Sequence, residues 1–169
     1  MIETQRLYIK PLTYQQLIKY AKCDNSLEEE LMVTINARTI SPELQEAIHQ
    51  TFLPRLKDKP TGYHFSTLWT AISKADNKMV ADLCLVDEPN AAGEIEIGYG
   101  TYSEFQGKGF MTEFVTTIIE WAQTQESIRA LIASTDKSNR ASNRVLEKNH
   151  FFIEKETDDT FHWRFITRP

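Results

Sequence analysis

From residue 111 onward the apolar positions Met111, Phe114, Val115, Ile118, Ile119 and Ala122 fall at i, i+3, i+4, i+7, i+8 and i+11. That spacing gathers side chains on one face of an α-helix and predicts an amphipathic helix with a single buried stripe. Upstream, Glu94-Ile95-Glu96-Ile97-Gly98-Tyr99 alternates polar and apolar residues, the period of a strand with one face in the core. Ile128 to Ala133 predicts another strand, and Ser138 to Lys148 a second helix behind it. Two strands are thus each followed by a helix start.

Similar patterning organises the rest of the chain. Arg6 to Pro11 predicts the first strand, and Thr13 to Tyr20 a helix capped by Thr13. Residues 24 to 58 are expected to be mostly helical, with Ser41 as a cap and Pro42 at the first helical position. Ser66 to Ser73 and Met79 to Val86 predict a hairpin around Ala75-Asp76-Asn77-Lys78, where Asp and Asn suit a tight turn. Asp87 to Gly93 is a polar loop. Phe151 to Glu156 and Thr160 to Thr167, around Asp158-Asp159, predict a closing antiparallel hairpin.

Composition narrows the picture. With 169 residues, 41% hydrophobic and 25% charged, residues 1–169 make one domain that buries an ordinary core. A formal charge of −5 and a pI near 5.4 leave no basic footprint, so nucleic acid is not an expected partner. The acidic surface reads first as ordinary solubilising charge, with a cationic amine substrate as the alternative. The chain opens without the basic-then-apolar run of a signal peptide, and no apolar stretch reaches membrane-spanning length, so no membrane contact and a cytoplasmic location are expected. Cys23 and Cys84 lack metal-ligand spacing, so neither a metal site nor a disulfide scaffold is predicted. Cys84 reads as a small strand residue.

The chemistry concentrates in Gln106-Gly107-Lys108-Gly109-Phe110-Met111, where two glycines meet the start of the predicted helix. First-turn amides have no intrahelical acceptor and carry partial positive charge, and glycines let the backbone close on a phosphate without Cβ clashes. Lys108 adds a cation. The segment is not a Walker loop, since no Ser or Thr follows Lys108, and Thr112 spoils a dinucleotide fingerprint. A simple tight turn before a helix is the alternative.

With Gln106, Gly109 and Met111 at the places of a Gln/Arg-x-x-Gly-x-Gly/Ala signature, the chain resembles the GNAT superfamily of acyl-CoA-dependent N-acyltransferases. Met111 departs from the small residue usual at the last place. Thr4-Gln5-Arg6-Leu7, Glu96-Ile97-Gly98-Tyr99, Gly107-Lys108-Gly109-Phe110-Met111-Thr112-Glu113, and Asn139 and Ser142 leading to Glu147-Lys148-Asn149-His150-Phe151 resemble the branch of ribosomal-protein N-terminal acetyltransferases. The likeness spans roughly residues 2 to 156. His150 stands where that branch usually has glycine, so the turn there must tolerate a Cβ.

The resemblance implies an α/β (α+β) fold: a mixed, mainly antiparallel sheet of about six to seven strands flanked by helices, its fourth and fifth strands splayed apart. It implies an N-acetyltransferase that carries an acetyl group from acetyl-CoA to a primary amine, either a peptide N-terminus or a small molecule. A non-catalytic acyl-CoA sensor of the same fold is the alternative. Acetyl-CoA would contact Tyr99, Gly100 and Thr101, where the family's strand bulges to pair with the pantetheine arm. It would also contact Gln106, Gly107, Lys108, Gly109, Phe110, Met111, Asn139 and Ser142. A backbone N–H near Tyr99 or Gly100 would meet the oxyanion. Glu96, with Glu94 on the same strand face, is the expected proton acceptor for the ammonium. Many relatives carry a Tyr acid where this chain has Leu146, so Ser142 is the expected donor to the leaving thiolate. Tyr20, Leu31, Met32, Phe52 and Tyr63 are candidates for the acceptor wall, or plain core residues.

Overall fold

In the computed structural model, which describes residues 1–58 and 63–168, the alternating segments close into one eight-stranded sheet. Its strands are β1 (Ile2–Glu3), β2 (Leu7–Pro11), β3 (Leu68–Ser73), β4 (Lys78–Val86), β5 (Glu94–Thr101), β6 (Ala130–Asp136), β7 (Phe152–Glu156) and β8 (Thr160–Ile166). They lie in the order β1-β2-β3-β4-β5-β6-β8-β7, and every pairing is antiparallel except β5 with β6. The mixed, mainly antiparallel sheet matches expectation, with one strand more than the six to seven predicted. The additional β1 has only two residues, too few to show a period, and so the expected fourth and fifth strands become β5 and β6.

Helices cover both faces. On one side lie α5 (Phe110–Gln123) and α6 (Arg140–Lys148), whose Phe114, Val115, Ile118 and Leu146 pack with Leu83, Ile95, Ile97 and Leu131 of the sheet. Full burial of a side chain such as Phe114 contributes about 1.5–3 kcal/mol. On the other side α1 (Tyr14–Lys22), α2 (Ser26–Leu31), α3 (Pro42–Ala47) and α4 (Leu53–Asp58) enclose a second core of Leu12, Leu17, Tyr20, Leu27, Ile48, Phe52, Leu68 and Met79. Thr13 caps α1 in a reciprocal box with Gln16, and Ser41 caps α3 with Pro42 behind it. A π-helical stretch, Ile48–Phe52, joins α3 to α4.

Residues 33–41 are not helical. Their bonds go elsewhere: the Thr34 amide donates to the Asn77 carbonyl at 2.7 Å and the Asn36 side chain to the Met79 carbonyl at 3.1 Å. His150 takes φ +61°, the left-handed turn that its position after α6 requires.

Candidate functional site

β5 and β6 pair only over Glu94↔Ala130, Ile95↔Leu131 and Glu96↔Ile132. Beyond that rung the strands part, while β5 keeps β4 as its partner as far as Ala81↔Thr101. One edge of residues 97–101 therefore faces the gap without a strand beside it. The expected bulge is absent, because the β4–β5 register runs unbroken from Val86↔Glu96 to Ala81↔Thr101. Divergence of β6 alone opens this edge.

At the end of β5 the chain turns through Gly107 (φ +74°) and Gly109 (φ +80°), both in the left-handed region that favours glycine. A Cβ at residue 107 would meet nothing within 4 Å, and one at residue 109 only the Arg6 guanidinium at 3.5 Å, so the protein leaves space beside both. Gly109 is the residue before α5, and having no side chain it offers no cap to the first-turn amides. Gln106 donates to the Thr101 carbonyl at 3.3 Å, and Lys108 folds over the Phe105 ring at 5.0 Å. Phe110 and Met111 turn their side chains into the core, which leaves their backbone as the part available to a ligand.

A brace that sequence reasoning missed holds this loop from behind. Arg6 donates to Glu113 of α5 at 2.6 Å and to the Lys108 carbonyl at 2.9 Å, and its guanidinium lies 4.8 Å from the Phe110 ring centre. Thr4 and the Arg6 amide also donate to Glu113. Burial works against the Glu113 charge, yet the bonds from Thr4 and Arg6, with the Arg6 charge, outweigh it and hold the carboxyl below its ordinary value. Its signal was present in Thr4-Gln5-Arg6, but only tertiary pairing reveals the partner.

Across the gap, α6 begins at Asn139, whose side chain accepts from the Ser142 amide at 3.1 Å. The Ser142 hydroxyl is 2.9 Å from the Tyr99 hydroxyl, so β5 and α6 meet through these two groups. Burial pushes the Tyr99 phenol up to about 12, against the bond with Ser142. Leu146 is sealed in the core and presents no group to the gap. Asn149, buried between the helices, donates to Thr112 and Val145 carbonyls and accepts from Thr116, which ties α6 to α5.

Glu96 sits at the last β5–β6 rung, with Glu94 on the same strand face. Glu94 is engaged structurally: its bond from Arg164, then one from Asn90, hold it below the ordinary carboxylate range.

On the other side of the sheet from α5 and α6, a cavity of about 630 Å³ lies between β4–β5 and α1–α3. Gly98 to Ser103 form one wall, Thr39, Ser41, Glu43 and Leu44 another, and Tyr20, Asp82 and Cys84 are also exposed to it. Of the predicted wall residues whose side chains are described, only Tyr20 is there. Met32 is 84% exposed, Phe52 is core and Leu31 packs at the core's edge, while the non-helical 33–41 segment brings Ala37, Thr39 and Ser41 to the cavity. The Tyr63 side chain lies outside the described residues. Burial pushes the Cys84 thiol up to about 11, which makes it unreactive at neutral pH.

Comparison with known proteins agrees with this geometry. A family model described as Acetyltransferase (GNAT) domain matches residues 6–151. The uncharacterized N-acetyltransferase YjdG of Bacillus subtilis (strain 168) is 25% identical over 168 residues, 99% of each chain. The ribosomal-protein-S5-alanine acetyltransferase of Vibrio fischeri superposes with a TM-score of 0.68 at 18% identity, covering 98% of this chain and 96% of that one. RimL, a ribosomal L7/L12 alpha-N-protein acetyltransferase in complex with coenzyme A, gives 0.67 at 16% identity, over 96% and 95%.

Proposed function

Because the chain belongs to the GNAT acetyltransferase family, we propose that it transfers the acetyl group of acetyl-CoA to a primary amine by direct attack, in one ternary complex. The observation that carries this is the continuity of three features: the open β5 edge at 97–101, the glycine turn at 107–109, and the free first turn of α5. Pyrophosphate oxygens would accept from main-chain N–H groups of 107–112, where glycine dihedrals and the helix dipole favour an anion. The pantetheine arm would add to the unpaired edge of Tyr99-Gly100-Thr101 as a strand does. A backbone N–H on that edge would meet the oxyanion as the amine attacks.

Asn139 and Ser142 would flank the sulfur end of the arm. A serine next to a phenol of pKa about 12 is too weak an acid to protonate a thiolate fully, so the Tyr99–Ser142 pair stabilises the leaving sulfur by hydrogen bonding while water supplies the proton. The cavity on the far side of β5 gives the acceptor a place next to that edge, which a sensor that only bound acyl-CoA would not need. The acceptor is a primary amine, a peptide N-terminus as in the ribosomal-protein acetyltransferases or a small molecule. Glu96, at the apex of the gap, is one candidate for the amine's proton.

Isothermal titration with acetyl-CoA, with thiol release over a panel of N-terminal peptides and alkyl amines, tests this. Saturable binding with amine-dependent thiol release is expected. Binding without turnover on every amine would favour a sensor, and no binding would defeat both.

A further inference from the structure

Asp82 is an acid in a buried strand run, Val80-Ala81-Asp82-Leu83, and is only 6% exposed. Its Oδ2 accepts from two phenols at 2.6 Å each, Tyr20 of α1 and Tyr102 after β5. Its Oδ1 is close to the Thr70 hydroxyl of β3, without a well-formed hydrogen bond on either atom. Behind Tyr20, Arg38 stacks on the ring at 4.1 Å and pairs with Glu28 of α2 at 3.3 Å, both side chains being almost fully buried. Asp82 and Glu28 carry two negative charges and Arg38 one positive, so the cluster in its ionised form holds one uncompensated negative charge. Such a charge is costly inside a protein unless a cation joins it.

A cavity lies beside the cluster. Asp82, Tyr20 and Tyr102 all line it, Glu43 stands on its wall, and among the described residues no Lys or Arg does. Asp82 lies directly across the β4–β5 ladder from Gly100, and a Cβ on Gly100 would meet nothing within 4 Å. The open edge proposed for the thioester and the buried carboxylate are therefore two sides of one glycine. Glu96 does not line this cavity.

We propose that the Asp82–Tyr20–Tyr102 cluster is the acceptor site: it seats a primary ammonium on the phenol oxygens and takes the proton that this ammonium must lose. This rests on the acetyl transfer proposed above. An N–H bond of the ammonium breaks as its proton passes to the Tyr102 oxygen. The proton of that phenol passes to Asp82 Oδ2, leaving a neutral amine, a neutral phenol and a carboxylic acid. The amine lone pair then forms the C–N bond, the C–S bond breaks, and the second N–H proton and the thiolate leave to solvent. Tyr102 and Tyr20 touch the substrate, while Asp82 acts through them.

The groups facing Asp82 are Tyr20, Tyr102, Arg38 with Glu28 behind it, and Cys84 on its own strand. Burial raises the Asp82 carboxyl above its ordinary value, against the phenol bonds and the Arg38 charge, which suits a proton acceptor. Activity must then rise with pH as this carboxyl ionises.

Two measurements separate the seat from the chemistry. First, wild type and Asp82→Asn are titrated by NMR with butylammonium and with neutral n-butanol. Butylammonium is expected to shift Gly100 and Tyr102 signals of the wild type, with butanol at least tenfold weaker and Asp82→Asn showing no preference. Equal binding of the two probes, or an unchanged preference in Asp82→Asn, overturns the seat. Second, kcat and kcat/KM are followed against pH for the best amine of the panel in Asp82→Asn, Tyr102→Phe and Glu96→Gln. Asp82→Asn is expected to lose about 100-fold in kcat and the acidic limb of the profile, a loss of general-base size, with acetyl-CoA affinity unchanged. Tyr102→Phe, which removes one oxygen and keeps the ring, is expected to lose at least tenfold. A wild-type limb in both variants, or its loss in Glu96→Gln instead, overturns the relay. Selective butylammonium binding in a protein that releases no thiol would refute acetyl transfer while leaving the cation seat standing.

Discussion

The two walls of the cleft are made of different material. On the side proposed to hold acetyl-CoA the exposed surface is main chain: the edge of β5, the turn at Gly107 and Gly109, and the first turn of α5. On the side proposed for the acceptor it is side chain, with Tyr20, Asp82 and Tyr102 converging from α1, β4 and the segment after β5. A main-chain site depends on conformation and empty space, so it resists side-chain truncation and fails when volume is added. A side-chain site depends on individual polar atoms and on buried charges being matched, so it fails when one atom is deleted.

Substitutions can break or sharpen this contrast. The largest effect belongs to the buried pair behind the acceptor wall: Arg38→Met leaves Glu28 buried without its cation and should cost about 3–5 kcal/mol of stability. Urea unfolding with an unchanged m-value would measure it, and a loss below about 1 kcal/mol would mean that the pair is hydrated. Next is Gly109→Trp, which adds volume and a disfavoured dihedral to the cradle. It should raise the CoA dissociation constant at least about 100-fold, roughly 2.7 kcal/mol, with a far smaller change in peptide-independent spectroscopic signatures of the fold. Unchanged affinity would remove the cradle.

Arg6→Ala acts on the cradle only through its brace and should weaken CoA about tenfold, near 1.4 kcal/mol. Its partner Glu113 has a depressed folded-state pKa, so its stabilisation is full above the ordinary carboxylate value of 4.5 and disappears as pH falls through the folded value. The stability gap between wild type and Glu113→Gln should accordingly be flat at neutral pH and close only in acid; a gap that stays constant into acid would contradict the brace. The smallest effect is Ser142→Ala, where loss of one hydrogen bond to sulfur should lower kcat about threefold, some 0.7 kcal/mol, without changing CoA affinity. A change in affinity alone would make Ser142 a binding residue.

The same contrast explains what could be read from the chain. Backbone sites need particular residues at fixed local spacing, so Gly107, Gly109 and the stripe from Met111 to Ala122 announced a turn and a helix start that the structure contains. Strand alternation likewise located β5 and the closing β7–β8 hairpin, and the short apolar run from Ile128 to Ala133 located β6. Residues 33–41 escaped because their order comes from distant bonds to Asn77 and Met79. The acceptor cluster escaped for the same reason: residues 20, 28, 38, 82 and 102 share no spacing and meet only when α1, α2, β4 and β5 pack. One local signal was there, an Asp in the middle of an apolar strand. A strand that buries both neighbours of an acid must supply that acid with partners, and here the partners are two phenols.

Main-chain recognition of the CoA diphosphate is the claim on which the proposed acetyl transfer depends, and amide-resolved NMR with added CoA tests it most directly. Titration should shift the N–H signals of 107–112 together with those of 97–101, and 3′-dephospho-CoA, which keeps the diphosphate, should shift the same set. Amides of 107–112 that stay unmoved at saturating CoA, while another part of the molecule responds, would contradict it.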